Sequence, residues 1–144
     1  MKNLLILSAL ALSFSATASD LVTLSSGSGF GPRVQSSKLT ISENGSIVRV
    51  IQTQREVTKE TIGKLSANAV ASLKEKIELI EDNAQLVDPN PKAPKCMDAP
   101  SSSVEVNKGG KDITISLTAS CHTSAVQNYN AQDITSLIQG LDKL

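Results

Sequence analysis

Aromatic side chains are almost missing from this chain of 144 residues, which has two Phe, one Tyr and no Trp. A hydrophobic core must therefore be built from Val, Ile, Leu and Ala, each of which buries less area than an aromatic ring. The same scarcity argues against base-stacking platforms and aromatic sugar-binding surfaces, because both need exposed rings. The length is sufficient for one domain with one modest core.

The first eighteen residues have the order of a secretory signal peptide. Lys2 gives a positive start, Leu4–Leu12 is an apolar run interrupted only by Ser8, and residues 16–18 read Ala-Thr-Ala, a small-residue cleavage site. The apolar run is too short for a stable membrane anchor, and a buried N-terminal helix is the alternative interpretation. We predict cleavage near Ala18 and export, to the periplasm or the medium, of a single domain spanning residues 19–144.

The mature domain is nearly neutral, because removal of Lys2 leaves 13 basic and 14 acidic residues. It contains no block of basic residues. This charge balance argues against nucleic acid and anionic membrane surfaces as partners. A protein partner is the remaining macromolecular class, and the chain carries no cofactor-binding signature.

Cys96 and Cys121 are the only cysteines, and an even pair in an exported chain predicts a disulfide. A zinc site needs four ligands, and the single histidine, His122, adjoins Cys121 in sequence, so we predict no metal site. A thiol nucleophile paired with His122 is the other alternative. It is disfavoured because the two groups are sequence neighbours and not on separate elements.

Alternating apolar residues predict five strands. The first covers 21–24, and two more, 38–42 and 47–54, form a hairpin around Asn44-Gly45 with Val48 and Val50 on its buried face. A second hairpin turns at the NKGG segment, with Val104 and Val106 on one strand. On the other strand of this hairpin, the residues expected to face the core are Ile113, Ile115 and Leu117.

Two amphipathic helices complete the pattern. Ser66 is expected to cap the first, whose apolar stripe is Val70, Leu73, Ile77, Ile80 and Ala84. Asn130 is expected to cap the second, with Ile134, Leu137, Ile138 and Leu141 inward. The order strand, hairpin, helix, hairpin, helix predicts an α+β domain, in which helices cover one face of an antiparallel sheet of about five strands.

No catalytic constellation is recognisable, and we predict that the protein is not an enzyme. The glycine-rich segment 27–32 matches neither a P-loop nor a dinucleotide fingerprint, because its glycines precede a strand. This segment and the next residue supply Phe30, Gly31, Pro32 and Arg33, and Phe and Arg are typical interface anchors. We interpret these four as candidate partner-binding residues; the alternative is a structural connection with the Phe ring in the core.

The opening SGSGFGPR, followed by KLTISENGSIVRV and a Leu-Ser-capped helix, resembles small exported bacterial domains that begin Ser-Gly-Gly-Phe-x-Gly. Emfourin-type inhibitors of bacterial metalloproteases share that opening. The similarity covers residues 21–80, and Ser28 is an additional residue within the motif. The resemblance implies a binding or inhibitory module, and it transfers no inhibitory residue to this chain.

Three functional hypotheses follow. The first is an exported, non-enzymatic module that binds another protein, with a peptidase as one such partner, through the 25–36 loop and neighbouring hairpin ends. The second is a small hydrolase that uses His122. The third is a structural component of the cell envelope, which an uncovered apolar sheet face would favour.

Overall fold

The structure is a computed structural model that describes residues 18–27, 35–92, 99–119 and 124–144. It is an α+β fold with a seven-stranded antiparallel sheet and two α-helices. The strands are β1 (Asp20–Gly27), β2 (Ser36–Ser42), β3 (Ser46–Gln52), β4 (Val57–Lys64), β5 (Ser101–Lys108), β6 (Lys111–Ala119) and β7 (Ser124–Gln127). The helices are α1 (Ala67–Glu78) and α2 (Gln132–Leu141), and a short 3-10 helix (Tyr129–Ala131) precedes α2.

The strand order is β4-β3-β2-β1-β5-β6-β7, so the first strand lies at the centre of the sheet. The chain extends the sheet to one side through β2, β3 and β4. It then crosses by α1 and returns as β5 to the free side of β1. The predicted fold class is confirmed, whereas the predicted count of five strands is wrong because β4 and β7 are also present.

The two additional strands lack the alternation of apolar and polar residues from which strands are predicted. β4 has the sequence VTKETIGK, and most of its side chains are exposed, so it shows no alternation between apolar and polar residues. β7 has only four residues. Both are held by backbone pairing to a longer neighbour, which depends on tertiary position and not on side-chain character.

One continuous hydrophobic core lies between the helices and one face of the sheet. Register places its sheet residues in rows: Val22 is paired with both Ile41 and Val106, and Leu24 with both Leu39 and Val104. The helices and the residues that directly adjoin them contribute Val70, Leu73, Ile77, Ile80, Ala131, Ile134 and Ile138 to the buried cluster. Both helices therefore cover the same face, as the sequence predicts.

Helix α1 begins where its capping residue indicates. The Ser66 hydroxyl accepts a hydrogen bond from the Ala69 amide at 3.2 Å, satisfying one of the free donors of the first turn. The predicted stripe is buried as far as Ile80, just beyond the last helical residue, and Ala84 packs at the margin of the core. Lys74 forms its ion pair with Glu43 of the β2–β3 turn, 3.1 Å away.

Helix α2 differs from expectation at its start and along one face. Asn128, and not Asn130, caps the preceding 3-10 helix, since its side chain accepts from the Asn130 amide at 2.9 Å. Ile134 and Ile138 are buried, but Leu137 is 39 % exposed and does not point inward. The buried residues of α2 are Ile134, Thr135 and Ile138, and Leu141 packs at the margin of the core, so the buried face is shifted from Leu137 towards Thr135.

The β3 strand presents the opposite face from the one expected. Ile47 is buried opposite Ile41, whereas Val48 and Val50 lie on the other face of the sheet and are only half-buried. Side chains alternate strictly along a strand, so a shift of one residue exchanges the two faces. The Val48-x-Val50 pattern indicated the wrong face, because the buried residue of β3 is Ile47, next to the turn, and the alternation of faces follows from it.

Gly45 closes the β2–β3 turn with a left-handed backbone, φ +83°, and its amide donates to Ser42 O at 2.8 Å. A Cβ atom there would lie 2.7 Å from the Leu65 carbonyl oxygen, closer than such atoms approach. We therefore expect Gly45→Ala to lower the free energy of unfolding by about 1–3 kcal/mol. Chemical denaturation of both proteins measures the difference.

Gly140→Ala is the matched control, because Gly140 lies in α2 and no heavy atom would come within 4 Å of its new Cβ. This variant should be neutral or more stable by about 0.5–1 kcal/mol, the ordinary gain of alanine over glycine in a helix. Equal stability of Gly45→Ala and the wild type would contradict the strained turn.

Ion pairs tie the two helices to each other and to the sheet. Lys76 of α1 pairs with Asp133 in the first turn of α2, and this hydrogen bond lowers the pKa of Asp133. A hydrogen bond from Ser19, followed by one from Lys74, lowers the pKa of Glu43. Because both folded pKa values lie below the unfolded ones, each carboxylate stabilises the fold at neutral pH. That small contribution disappears as the pH falls through the folded pKa.

Several predicted features lie outside the described residues. These are the leader except Ala18, both cysteines with His122, and the four candidate partner-binding residues Phe30, Gly31, Pro32 and Arg33. Within the described ranges, no helix is long and apolar enough to cross a membrane.

Candidate functional site

The face of the sheet opposite the helices is the open face, since no described helix or strand packs on it. Its side chains are those that alternate with the core residues, such as Thr23 and Ser25 on β1. Register arranges them in rows across the sheet. One row runs through Lys59, Val50, Lys38, Ser25, Ser103, Leu117 and Val126. The open face is therefore mostly polar, with a few isolated aliphatic side chains.

A cleft of about 700 Å³ lies at the end of the sheet where β1 finishes and β5 starts, and most of its lining residues belong to the open face. Its floor is made by small residues on paired strands: Ser25 is opposite Ser103, and Gly27 is opposite both Ser36 and Ser101. Because none of these side chains extends far above the backbone, the sheet surface is depressed here. The full set of lining residues is Ser25, Ser26, Gly27, Ser36, Asp88, Ser101, Ser102, Ser103, Leu117, Thr118, Ala119 and Val126.

The wall of the cleft is apolar and comes from β6 and β7. Leu117 is paired with Val126, and Leu117 remains 44 % exposed. Asp88 is next to Val87, which lies beyond β7. The amide and carbonyl of Val87 both bond to Gln127 at 3.2 Å, which positions Asp88. The cleft thus combines hydroxyl groups, an aliphatic wall and one carboxylate.

The exposed position of Leu117 results from a β-bulge between β5 and β6. Glu105 is opposite Thr114 and Val104 is opposite Ser116, so Ile115 is an additional residue without a direct partner. The bulge reverses the alternation beyond it, and Ser116 is buried while Leu117 faces outward. The expectation that Leu117 points into the core was therefore wrong, since strict alternation cannot anticipate a bulge.

The described lining of the cleft offers serine and threonine hydroxyls and one carboxylate. Serine hydroxyls both donate and accept hydrogen bonds, as shown by Ser26 and Ser37, whose oxygens are 2.6 Å apart on the helix-covered side. A serine nucleophile needs an adjacent base, and Asp88 is the one titratable side chain among the described residues of the cleft. Within the described ranges, no cluster of His, Cys, Asp or Glu could hold a metal ion.

The cleft adjoins the segment singled out from sequence. Gly27 and Ser36 flank residues 28–35, are paired with each other, and both line the cleft. The candidate partner-binding residues Phe30 to Arg33 belong to that segment and lie outside the described residues. Sequence reasoning missed the serines at 101–103, although three consecutive serines at the start of a strand were a visible signal of a small-residue surface.

A scan against protein-family models, a search of curated proteins and a search of solved structures each found no match.

Proposed function

We propose that the mature domain is an exported, non-enzymatic module that binds another protein through the cleft on its open face. The observation that supports this most directly is the exposed Leu117 beside a floor of serines. An aliphatic wall takes up a side chain of the partner, and the hydroxyls satisfy its backbone N–H and C=O groups. Pockets of this volume accept a few residues of polypeptide.

The candidate surface proposed from sequence is consistent with this location. Ser25, Ser26, Gly27 and Ser36 belong to the 25–36 segment, and they contribute about a third of the lining residues. An uncovered apolar sheet face would have favoured a structural envelope component, but the open face is mainly Ser, Thr, Lys and Glu. A binding surface of limited area fits this composition better.

The resemblance to emfourin-type inhibitors makes an exported metallopeptidase the first class of partner to examine. Purified mature protein is mixed with secreted metallopeptidases, and cleavage of a peptide substrate is followed. Inhibition that saturates at equal molar amounts would support the inhibitory form of the proposal. A protein that binds the peptidase without inhibiting it would support binding alone.

We expect Leu117→Ser to weaken partner recovery at least tenfold, because it removes the aliphatic wall without altering the core. The mature protein is used as bait in its native envelope fraction, and the identified partner is then titrated in purified form. Phe30→Ala and Arg33→Ala test the adjoining segment in the same way.

Leu79→Ser is the matched control, since Leu79 is 81 % exposed at the end of α1, on the helix-covered side of the sheet. It makes the same chemical change away from the cleft and should leave binding unchanged. Equal binding by the wild type and by Leu117→Ser, Phe30→Ala and Arg33→Ala would refute the proposed surface.

A further inference from the structure

The two edges of the sheet end differently. At the β7 edge, Val87 adds a bridge to Gln127 and covers part of the backbone. At the other edge, the eight residues of β4 pair with β3 on one side and with no described strand on the other. An unpaired edge presents backbone donors and acceptors that match only another extended chain.

The hydrogen-bond phase of β4 identifies the residues that face outward. The Thr53 amide donates to Glu56 O at 2.9 Å, so this is a hydrogen-bonded pair at the hairpin end. Hydrogen-bonded and non-bonded pairs alternate along an antiparallel ladder. Thr58 and Glu60 therefore bond to β3, whereas the backbone groups of Val57, Lys59 and Thr61 are directed away from it.

Charge disfavours a second copy of this chain at the edge. In a symmetric antiparallel pair of two β4 strands, residues whose backbone groups are directed away from β3 must face each other. This requirement leaves few registers along the straight part of β4, residues 57–61. A pair centred on Lys59 sets that residue opposite itself, and one centred on Glu60 does the same with that carboxylate. A pair centred on Thr58 sets Glu56 opposite Glu60, and one centred on Val57 sets Arg55 opposite Lys59. Like charges directly opposite each other are destabilising. Moving the centre further along meets the bulge at Ile62, where the register with β3 shifts.

The same charges favour a strand of different sequence. An antiparallel partner can place an acidic residue opposite Lys59 and a basic residue opposite Glu60, in the order basic-acidic along its own chain. Val57, which is 64 % exposed, would meet an apolar residue two positions further on. Opposite charges across a ladder stabilise the pair, and backbone hydrogen bonds add affinity that is independent of sequence.

We infer that the outer edge of β4 is a docking site for an extended segment of another protein, which adds as an eighth, antiparallel strand with a basic-acidic pair opposite Glu60 and Lys59. This site lies two strands away from Ser36 of β2, the nearest residue of the cleft floor, and it does not depend on the function proposed above. The hydrogen-bond phase of β4 and its two opposite charges specify the chemistry of the partner strand.

The test uses a labelled, end-blocked octapeptide, Thr-Val-Thr-Lys-Glu-Thr-Val-Thr, titrated into the mature protein at low ionic strength, where charge effects are least screened. A control peptide exchanges the central Lys and Glu. We expect the matched peptide to bind about tenfold more tightly, because two facing pairs change from attractive to repulsive. A peptide N-methylated at its central Glu should lose binding, since that amide would donate to the Lys59 carbonyl.

The double variant Lys59→Glu/Glu60→Lys should reverse the preference and bind the exchanged peptide about tenfold more tightly. Both side chains are exposed, so the fold is not expected to change. Equal affinity for both peptides, an unreversed preference, or no binding would overturn the inference. A dimer that is detected by light scattering and abolished in the double variant would also overturn the inference. Leu117→Ser should bind the matched peptide like the wild type, which separates this site from the cleft.

Discussion

Replacing Ile138 by alanine is expected to lower the free energy of unfolding by about 2–5 kcal/mol. Ile138 is fully buried in α2, which packs against the central strand β1, and none of the described core residues is aromatic. The loss combines the transfer of the side chain with the cavity it leaves. Since a domain of this size has a total stability of about 5–15 kcal/mol, the variant should be partly unfolded under mild denaturing conditions.

Leu137→Ala provides the control at the neighbouring position. It also removes three carbon atoms from α2, but Leu137 is substantially exposed, so the expected loss is below about 1 kcal/mol. Urea titration followed by far-UV circular dichroism measures both variants. Similar losses at the two positions would show that α2 does not present the face described above.

Removal of the predicted Cys96–Cys121 disulfide should have an effect of similar size. The bond closes a loop of 25 residues, for which the chain-entropy model gives about 3–4 kcal/mol. The described strands are compatible with the pairing, because Ser101 and Ala119 are register partners. Cys96 precedes Ser101 by five residues and Cys121 follows Ala119 by two, so both cysteines attach to the same end of the β5–β6 ladder.

Mass spectrometry of the unreduced, digested mature protein should show a peptide linked through these two cysteines. The double variant Cys96→Ser/Cys121→Ser and the reduced wild type should then unfold at the same, lower denaturant concentration. Free thiols on both residues, or unchanged stability after reduction, would contradict the prediction. Ile138→Ala should lose a further increment on reduction, since the disulfide acts mainly on the unfolded chain.

The candidate site was only partly readable from sequence. The segment 25–36 was identified by its glycines, and four of its residues do line the cleft. The opposite wall could not be anticipated, because Leu117 reaches the open face only through the bulge at Ile115. The serines at 101–103 become a floor only because β5 pairs with β1, a contact between residues about eighty positions apart in the chain.

Local interactions explain what the sequence by itself determined. The Ser66 cap and the apolar stripe of α1 are set within a few residues, as are the turns at Gly45 and at Gly109-Gly110, where left-handed backbone is required. These features fix the α+β class and the burial of one helix face. They depend on backbone geometry and capping hydrogen bonds, which a linear reading captures.

Tertiary structure alone decided the number of strands, the phase of β3 and the exposed face of α2. β4 and β7 are strands because a paired neighbour satisfies their backbone groups, although their own side chains give little preference. A bulge changes which side chain faces the core without leaving a periodic signal. The physical reason is that pairing and packing act between distant residues, and these contacts override local pattern wherever the pattern is weak.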